Sequence, residues 1–389
     1  MRQLSVIVPT FREAENLSVL VPRLCAAIIE NGLDGEIIVV DDNSPDDTVN
    51  VVNTLSKSYP VRLILRTTER GLSSAVIAGM RAAEGNVLVC MDADLSHPPE
   101  DVPKLYRAMT ENLDSPNAQT KFVIGSRYVA GGSTETGWGI GRWLNSKVAT
   151  LLAWPLTSVS DPMAGFFALR QEDFWKANDK LDPIGYKIGL ELLVKTNTPK
   201  AVEVPIEFKN RLHGESKLSL REQINYVRHL GRLYRFRFPK LTRFLSFGFV
   251  GASGAIVDLA MFLLLLRAGI TAWPAAVIAI WCAMTSNFLL NRKLTFASGE
   301  RAWWRDYFAF CLSCLVGAVV NTGVRVGLIS SLAWFTAHAW GAAGLGILSG
   351  LVFNFSLCER FLFRNTQRQR GENATSPGNK HDAAASGQR

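Results

Sequence analysis

NVLVCMDADLSHPPE, Asn86 to Glu100, is an apolar run that ends in two carboxylates one residue apart, Asp92 and Asp94, and then in Pro98-Pro99. The run is short and bounded by turn residues, so it reads as a buried strand. Four other stretches read the same way: LSVIVPT from Leu4, EIIVVDD from Glu36, VRLILR from Val61 and KFVIGSR from Lys121. Between them, EAENLSVLVPRLCAAIIENG from Glu13 and GLSSAVIAGMRAAEG from Gly71 read as helices, each closing on a glycine. This alternation predicts an α/β domain with a mostly parallel sheet and helices on both faces. Ligands of such sheets bind at the carboxyl ends of the strands. Three of the five runs end there in acids or in Arg127.

The chain has 389 residues, which predicts two domains. Lys plus Arg number 42 against 34 acids, a net charge of +8 that suits nucleic acid, anionic lipid or phosphorylated substrates. The six cysteines sit in apolar runs and do not form a disulfide framework. The N-terminus goes straight into a strand pattern, so no signal peptide is expected. Near residue 240 the composition changes. Four long apolar segments follow, roughly 244–266, 270–290, 307–330 and 339–358, each long enough to cross a bilayer. Arg228 to Arg243 is a basic stretch before the first span, and basic residues also fill the middle loop and follow the last span. The positive-inside rule then places both termini, and the catalytic half, in the cytoplasm. The expected plan is a catalytic domain over 1–225, a basic amphipathic interface segment over 226–243, a four-helix all-α transmembrane domain over 244–364 and a disordered tail over 365–389. A nucleic-acid partner for the basic stretch is set aside because a membrane domain adjoins it. Membrane lipids are the expected partner, and a homo-oligomer stays open.

The membrane half repeats itself. GAIVD (Gly254–Asp258) echoes GAVVN (Gly317–Asn321), and NFLLNRKLTF (Asn287–Phe296) echoes NFSLCERFLF (Asn354–Phe363). A two-span hairpin used twice, in parallel orientation, accounts for both matches. Asp258 and Arg325 fall well inside spans. Charges there are costly unless paired, so Asp258 is expected to face the bundle interior and pair with Arg325 or Asn321.

Carboxylates with open water positions suit Mg²⁺ or Mn²⁺ shared with substrate phosphates, and Asp92 and Asp94 at a strand end can reach one ion. Asp41-Asp42-Asn43-Ser44 ends another strand. It reads either as a hydrogen-bonding site for a nucleotide's base and ribose or as an Asx turn. No G-x-G-x-x-G or Walker loop is present, which argues against dinucleotide and P-loop enzymes.

SVIVPTFREAENL, IIVVDDNSPDDT, GLSSAVIAGMRAAEG, MDADLSHPPE, GSRY, DPMAGFFALR and RLHGESKL, in that order, resemble the polyprenyl-phosphate (dolichyl-phosphate) mannosyltransferases. These are family 2 glycosyltransferases of the GT-A fold, and the likeness covers about residues 3–225. The second half, with FVGASGAIVD and NFLLNRKLTF, resembles the GtrA-like four-span domain. The resemblance implies that Pro9, Phe11, Glu13, Val40 and Asp42 hold the nucleotide's base and ribose. It implies that Asp92 and Asp94 meet the metal and diphosphate, with Ser96 as a third metal residue where many relatives place Gln. Arg127, Arg142 and Ser146 match the sugar and acceptor region, and Arg211 and Lys217 match cations that face the two phosphate groups. The implied donor is GDP-mannose and the implied acceptor a polyprenyl or dolichyl monophosphate.

A phosphate acceptor is already ionised near neutral pH, so the chemistry asks for charge stabilisation more than for a base. Asp161, in SDPMAG, is a general-base candidate by position only, with a structural turn acid as the other reading. The glycine-rich stretch Gly131–Gly141 reads as a loop that closes over the donor, or as ordinary surface. UDP-glucose remains an alternative donor. A processive polysaccharide synthase would show Q-x-x-R-W, whereas Gly139 stands at the Gln position before Arg142-Trp143. A transporter with a docking soluble half would have no need of the paired acids.

Overall fold

The computed structural model describes residues 2–111, 120–135, 140–198, 201–209, 220–296 and 303–362. The chain divides into two compact units, Met1–Arg237 and Phe238–Arg389. The tail expected over 365–389 lies outside the described residues.

The first unit runs β1 (Leu4–Thr10), α1 (Ala14–Glu30), β2 (Gly35–Asp41), α2 (Thr48–Leu55), β3 (Val61–Leu65), α3 (Leu72–Ala82), β4 (Val87–Cys90), α4 (Val102–Thr110) and β5 (Phe122–Ser126). It continues with β6 (Ser133–Thr134), α5 (Ile140–Ala153), β7 (Phe167–Arg170), α6 (Gln171–Asn178), α7 (Ile188–Lys195), β8 (Val202–Pro205), β9 (Glu207–Phe208) and α8 (Leu220–Arg237). Seven strands form one sheet in the order β3-β2-β1-β4-β7-β5-β8. All pairings are parallel except those of β7, which runs antiparallel to β4 and β5. A small parallel pair, β6 with β9, lies apart from it. This is the expected α/β architecture, the GT-A fold; β7 and the β6–β9 pair are additions to the five expected strands.

Alternation along β1 shows why both faces carry helices. Leu4, Val6 and Val8 pack with Leu17, Leu20 and Leu24 of α1 and Leu105 of α4, whereas Ile7 faces the other way, toward Val76 and Met80 of α3. Gly79 lets α3 lie directly on the sheet, since a Cβ there would sit 2.6 Å from Ile7 Cγ2. Pro9 is tolerated in this central strand for a local reason. Met91 N–H donates to Ile7 O and Asp42 N–H to Thr10 O, so alternate residues turn to opposite neighbours. Pro9 therefore faces the β4 side, beyond the end of β4 at Cys90, where its missing N–H has no partner to serve.

The second unit holds α9 (Pro239–Arg267), α10 (Ala272–Leu290), α11 (Trp303–Ser331), the short α12 (Ala333–Ala337) and α13 (Ala339–Leu357). Four of its helices are long and apolar enough to cross a membrane. The sequence repeat is also a structural one. α9 packs on α10 and α11 on α13, in each case along a row of small residues, Ala275, Ala279 and Ala283 in one hairpin and Ala342, Gly346 and Gly350 in the other. Gly254 abuts Asn287 as Gly317 abuts Asn354. Each hairpin ends in a wider π turn, Asn291–Thr295 and Cys358–Leu362. Between the hairpins lies a phenylalanine cluster, Phe247, Phe288, Phe296, Phe310 and Phe355. Two reciprocal ion pairs flank it, Arg243–Glu359 at 3.1 Å and Arg292–Asp306 at 3.2 Å.

The expected Asp258–Arg325 pair is not formed. Arg325 is exposed, Asp258 is half-buried, and Asn321 packs against Gly346 of its own hairpin.

Candidate functional site

The carboxyl edge of the sheet gathers the ends of β1, β2, β4 and β5. Because β7 is antiparallel, the loop that precedes it, Asp161 to Phe166, arrives at the same edge. Three side chains from distant parts of the chain meet there as a result.

After β4 the chain makes a tight turn. Ser96 N–H donates to Asp94 Oδ1 at 3.1 Å, and Leu95 takes a left-handed φ of 62°, an uncommon conformation for a non-glycine residue. Asp92 N–H donates to His97 Nδ1 at 3.0 Å, which puts the ring proton on Nε2. The His97 ring stacks on Phe166 with centroids 5.2 Å apart and meets the Phe208 ring edge-on. Burial pushes the His97 pKa down and Arg127 adds to that, against the pull of Asp92, Asp94 and Asp161, so the ring is a neutral prop. Gly165 closes the site from the β7 side, since a Cβ there would lie 3.3 Å from Asp92 Oδ2 and from His97 Cε1.

Arg127, just past β5, is gripped by Asp161. Its Nε and Nη2 donate to Asp161 Oδ2 and Oδ1, each at 2.7 Å, and its backbone N–H adds a bond at 3.3 Å. Asp161 is fully buried, and its own N–H and that of Ser160 donate to Glu203. The Arg127 guanidinium also lies 5.2 Å from the ring centroids of Tyr128 and Phe208. In this setting Asp161 orients a cation, and the structure favours that reading over a base. Lys187, at the start of α7, donates to Met163 O at 3.0 Å and so belongs to the same loop. Burial, with Arg127 adding to it and Asp161 and Asp92 opposing, pushes its pKa down to about 8.

The nucleotide-side residues stand along the neighbouring edge. Phe11 is exposed, with the Arg12 guanidinium 5.3 Å and that of Arg70 6.0 Å from its ring centroid. Glu13 accepts from Asn16 Nδ2 at 2.5 Å. Asp42 is held from two sides, by Arg66 Nε at 2.7 Å on Oδ1 and by Gly71 N–H at 2.7 Å on Oδ2. Asp41 holds the turn that follows β2, accepting from Ser44 N–H, three residues on, at 2.8 Å and from Ser44 Oγ at 2.5 Å, one residue longer than an Asx turn. Val40 is buried in the core beneath α3, so only its backbone is available to a ligand. Ser146, on α5, meets Tyr128 Oη at 2.9 Å, and Lys147 Nζ lies 4.9 Å from the Tyr128 ring centroid. Arg142 is on α5, but its side chain lies outside the described residues, as do Arg211 and Lys217.

Known proteins share both halves of this architecture. Glycosyl transferase family 2 matches residues 5–177, and the GtrA/DPMS transmembrane domain matches 246–372. A dolichol-phosphate mannosyltransferase of Pyrococcus furiosus is 42% identical over 324 residues, 82% of this chain and 88% of that protein. The chain belongs to the dolichol-phosphate mannosyltransferase family. Another such enzyme, from Mycosarcoma maydis, is 47% identical over 241 residues, 60% of this chain and 80% of its own. A glucosyl-3-phosphoglycerate synthase structure from Mycobacterium tuberculosis overlays with a TM-score of 0.44 at 19% identity, covering 61% of this chain and 79% of that one. The family resemblance and the GT-A fold expected from the motifs are thus borne out.

Within this family frame the turn after β4 fits a divalent cation. Ser96 Oγ is buried and has no hydrogen-bond partner, in the same turn as Asp92 and Asp94. Oxygen donors of this kind suit Mg²⁺ or Mn²⁺. Among the described residues no three His, Cys, Asp or Glu side chains converge on a common point, so two carboxylates and a hydroxyl are the donors available, with positions left for phosphate oxygens and water.

Sequence reasoning left His97, Lys187 and Arg66 without roles. Arg66 closes VRLILR at the same sheet edge as the acids, a position that could have marked it. Lys187, in GYKIGL, offers no local signal, because its place is set by Met163, 24 residues before it.

Proposed function

We propose that this chain transfers mannose from GDP-mannose to a polyprenyl or dolichyl monophosphate at the cytoplasmic face of a membrane, with inversion. The observation that carries the reading is the convergence of Asp92, Asp94 and the unpartnered Ser96 Oγ with the Asp161-gripped Arg127 at one sheet edge. The family relatives support mannose and a dolichyl phosphate.

In the reaction an acceptor phosphate oxygen bonds to the anomeric carbon as the bond to the nucleoside diphosphate breaks. Attack from the opposite side inverts that centre. The acceptor oxygen is ionised already, so no residue needs to remove a proton from it. Asp92, Asp94 and Ser96 would hold a divalent cation, which when bound offsets the charge developing on the leaving diphosphate. Arg127, fixed in orientation by Asp161, is placed to meet anionic oxygen with little reorganisation. Lys187, Arg142, Arg211 and Lys217 are further cations for the phosphate groups, and Ser146 joins them on the acceptor side. Pro9, Phe11, Glu13, Val40 and Asp42 take the base and ribose.

The membrane assignment of the catalytic unit has its own support. α8 carries Arg228, Arg232, Arg235 and Arg237 and is tied to α5 by Tyr226 Oη on Ala149 O and Tyr234 Oη on Leu152 O, each 2.7 Å. α5 and the turn after it expose Val148, Leu151, Leu152 and Trp154. Basic and apolar groups side by side suit an anionic lipid interface.

The test is radiolabelled transfer from GDP-mannose and, separately, UDP-glucose to short polyprenyl phosphates, with and without Mn²⁺. Mannosyl transfer with a β-linked product supports the reading. Transfer from UDP-glucose alone would replace the donor, and transfer from neither donor would overturn it.

A further inference from the structure

Two buried titratable groups of the first unit take no part in the chemistry above. Glu191, on α7, is fully buried, and His229, on α8, is 1% exposed. A buried carboxylate is costly unless its oxygens are met. Three donors meet these: Asp182 N–H at 2.7 Å and Lys195 Nζ on Oε1, and His229 Nε2–H at 3.1 Å on Oε2. The His229 ring has no other hydrogen-bond partner among the described residues, since its buried Nδ1 is left without one. An apolar side chain at 229 would fill the space without that cost. What histidine adds there is the bond to Glu191.

That bond leads to the site. Asp182 opens the turn 182–187, and Lys187 closes it at the N-terminal cap position of α7. Glu191 stands one helical turn further on, with its N–H donating to Lys187 O at 3.3 Å. Glu191 therefore clasps both ends of the turn, the first by its side chain and the last by its backbone. Arg232 of α8 also pairs with Asp182, at 2.6 Å, but both side chains are exposed, so that pair adds little. The middle of the turn is held from another side, by Ser73 Oγ of α3 donating to Gly185 O at 2.7 Å. Gly185 takes a left-handed φ of 74° at that point. From the end of this clasped turn Lys187 Nζ reaches Met163 O, in the loop that carries Asp161.

We propose that His229 is a positioning residue: through Glu191 it fixes the 182–187 turn and so aims Lys187 at the anionic oxygens of the reaction. This rests on Lys187 being one of the site's cations. Without His229 one oxygen of a buried carboxylate lacks its donor and the clasp loosens. The ammonium then loses the preset orientation on which charge stabilisation depends.

The test is a double-mutant cycle on the full-length chain in detergent. It uses whichever of GDP-mannose and UDP-glucose the wild type accepts, so a wrong donor does not spoil it. His229→Phe should lower kcat/KM on the order of tenfold. His229→Gln, whose Nε2 can stand where the ring's Nε2 stood, should recover most of the loss. Lys187→Ala should lower kcat/KM by itself, and adding His229→Phe to it should cost nothing further, because the effect passes through Lys187. Amide hydrogen exchange over 182–187 should quicken in His229→Phe and return to the wild-type rate in His229→Gln. If His229→Phe does not fold, Ser73→Ala, which frees Gly185 O, takes its place in the cycle and in the exchange measurement. Losses that multiply in the double variant, or unchanged exchange over 182–187, would overturn the proposal whatever the donor. Lys187→Ala with wild-type kcat/KM would instead strike Lys187 from the proposed chemistry, and the positioning role with it.

Discussion

Replacing Asp161 by asparagine keeps the shape of the side chain and removes the charge that holds Arg127. Asp161 is fully buried, and the Arg127 side chain is only 11% exposed. Two of the bonds between them, at 2.7 Å, are charge-assisted and bidentate, the strong form of the interaction. Breaking a buried pair by removing one partner leaves an uncompensated charge and typically costs about 3–5 kcal/mol. In a unit of this size each kcal/mol lowers the melting temperature by roughly 2–4 °C. Asp161→Asn should therefore melt about 6–20 °C below wild type, by tryptophan fluorescence of the full chain in detergent. Transfer should fall with it, because Arg127 loses its orientation. Removing both partners, Asp161→Asn with Arg127→Gln, should cost less stability than the two single changes added together. If Asp161 were instead a general base, Asp161→Asn would abolish turnover and leave the melt in place. An unshifted melting temperature with lost kcat would refute the positioning role.

Asp94→Asn should cut turnover by orders of magnitude with the fold intact, and EDTA should do so reversibly; full activity in EDTA would remove the cation from the turn after β4. Arg211→Ala and Lys217→Ala should each lower transfer by the loss of a charge-assisted contact, about 1.5–3 kcal/mol; an unchanged rate with both replaced would leave that loop as solvated surface. Lys187 gives the pH dependence. Its pKa of about 8 is below the ordinary 10.5 of a lysine, so between those values the unfolded chain holds a proton that the folded chain has released. This group therefore raises stability as pH climbs through that window, and destabilises most below it. Its charge in the site fades over the same window, so kcat/KM should decline above about pH 8, and Lys187→Arg should flatten that alkaline limb; an identical limb in the variant would exclude Lys187 from phosphate handling.

Most of the first unit was legible because its strands are buried on both faces and read as unbroken apolar runs. β7 was not, since Phe167–Arg170 is four residues long and its direction depends on which neighbours it meets. Asp92 and Asp94 were legible as chemistry because they share one turn. The grip on Arg127 was not, since Asp161 lies 34 residues further on and is brought back only by the antiparallel β7. In the second unit the spans and their duplication showed in composition and echoed motifs. The placement of the charges inside it did not, because which neighbour a span residue meets is set by helix packing: Asp258 is half-buried, Arg325 is exposed, and the two do not pair.

The same contrast explains the style of the catalytic site. Titratable groups at the sheet edge are committed to holding something else in place. His97 is a neutral stacked ring that accepts from the Asp92 backbone, Asp42 joins Arg66 to Gly71, and Asp161 is spent on Arg127. An enzyme that had to deprotonate a sugar hydroxyl would need one of these groups exposed and poised near neutral pH. A phosphate acceptor brings its own charge, so the protein's task is to set two anions close together and keep the opposing cations from moving. Burying an acid beneath an arginine does this: the acid is lost to proton transfer, and the arginine is fixed in the orientation it will need.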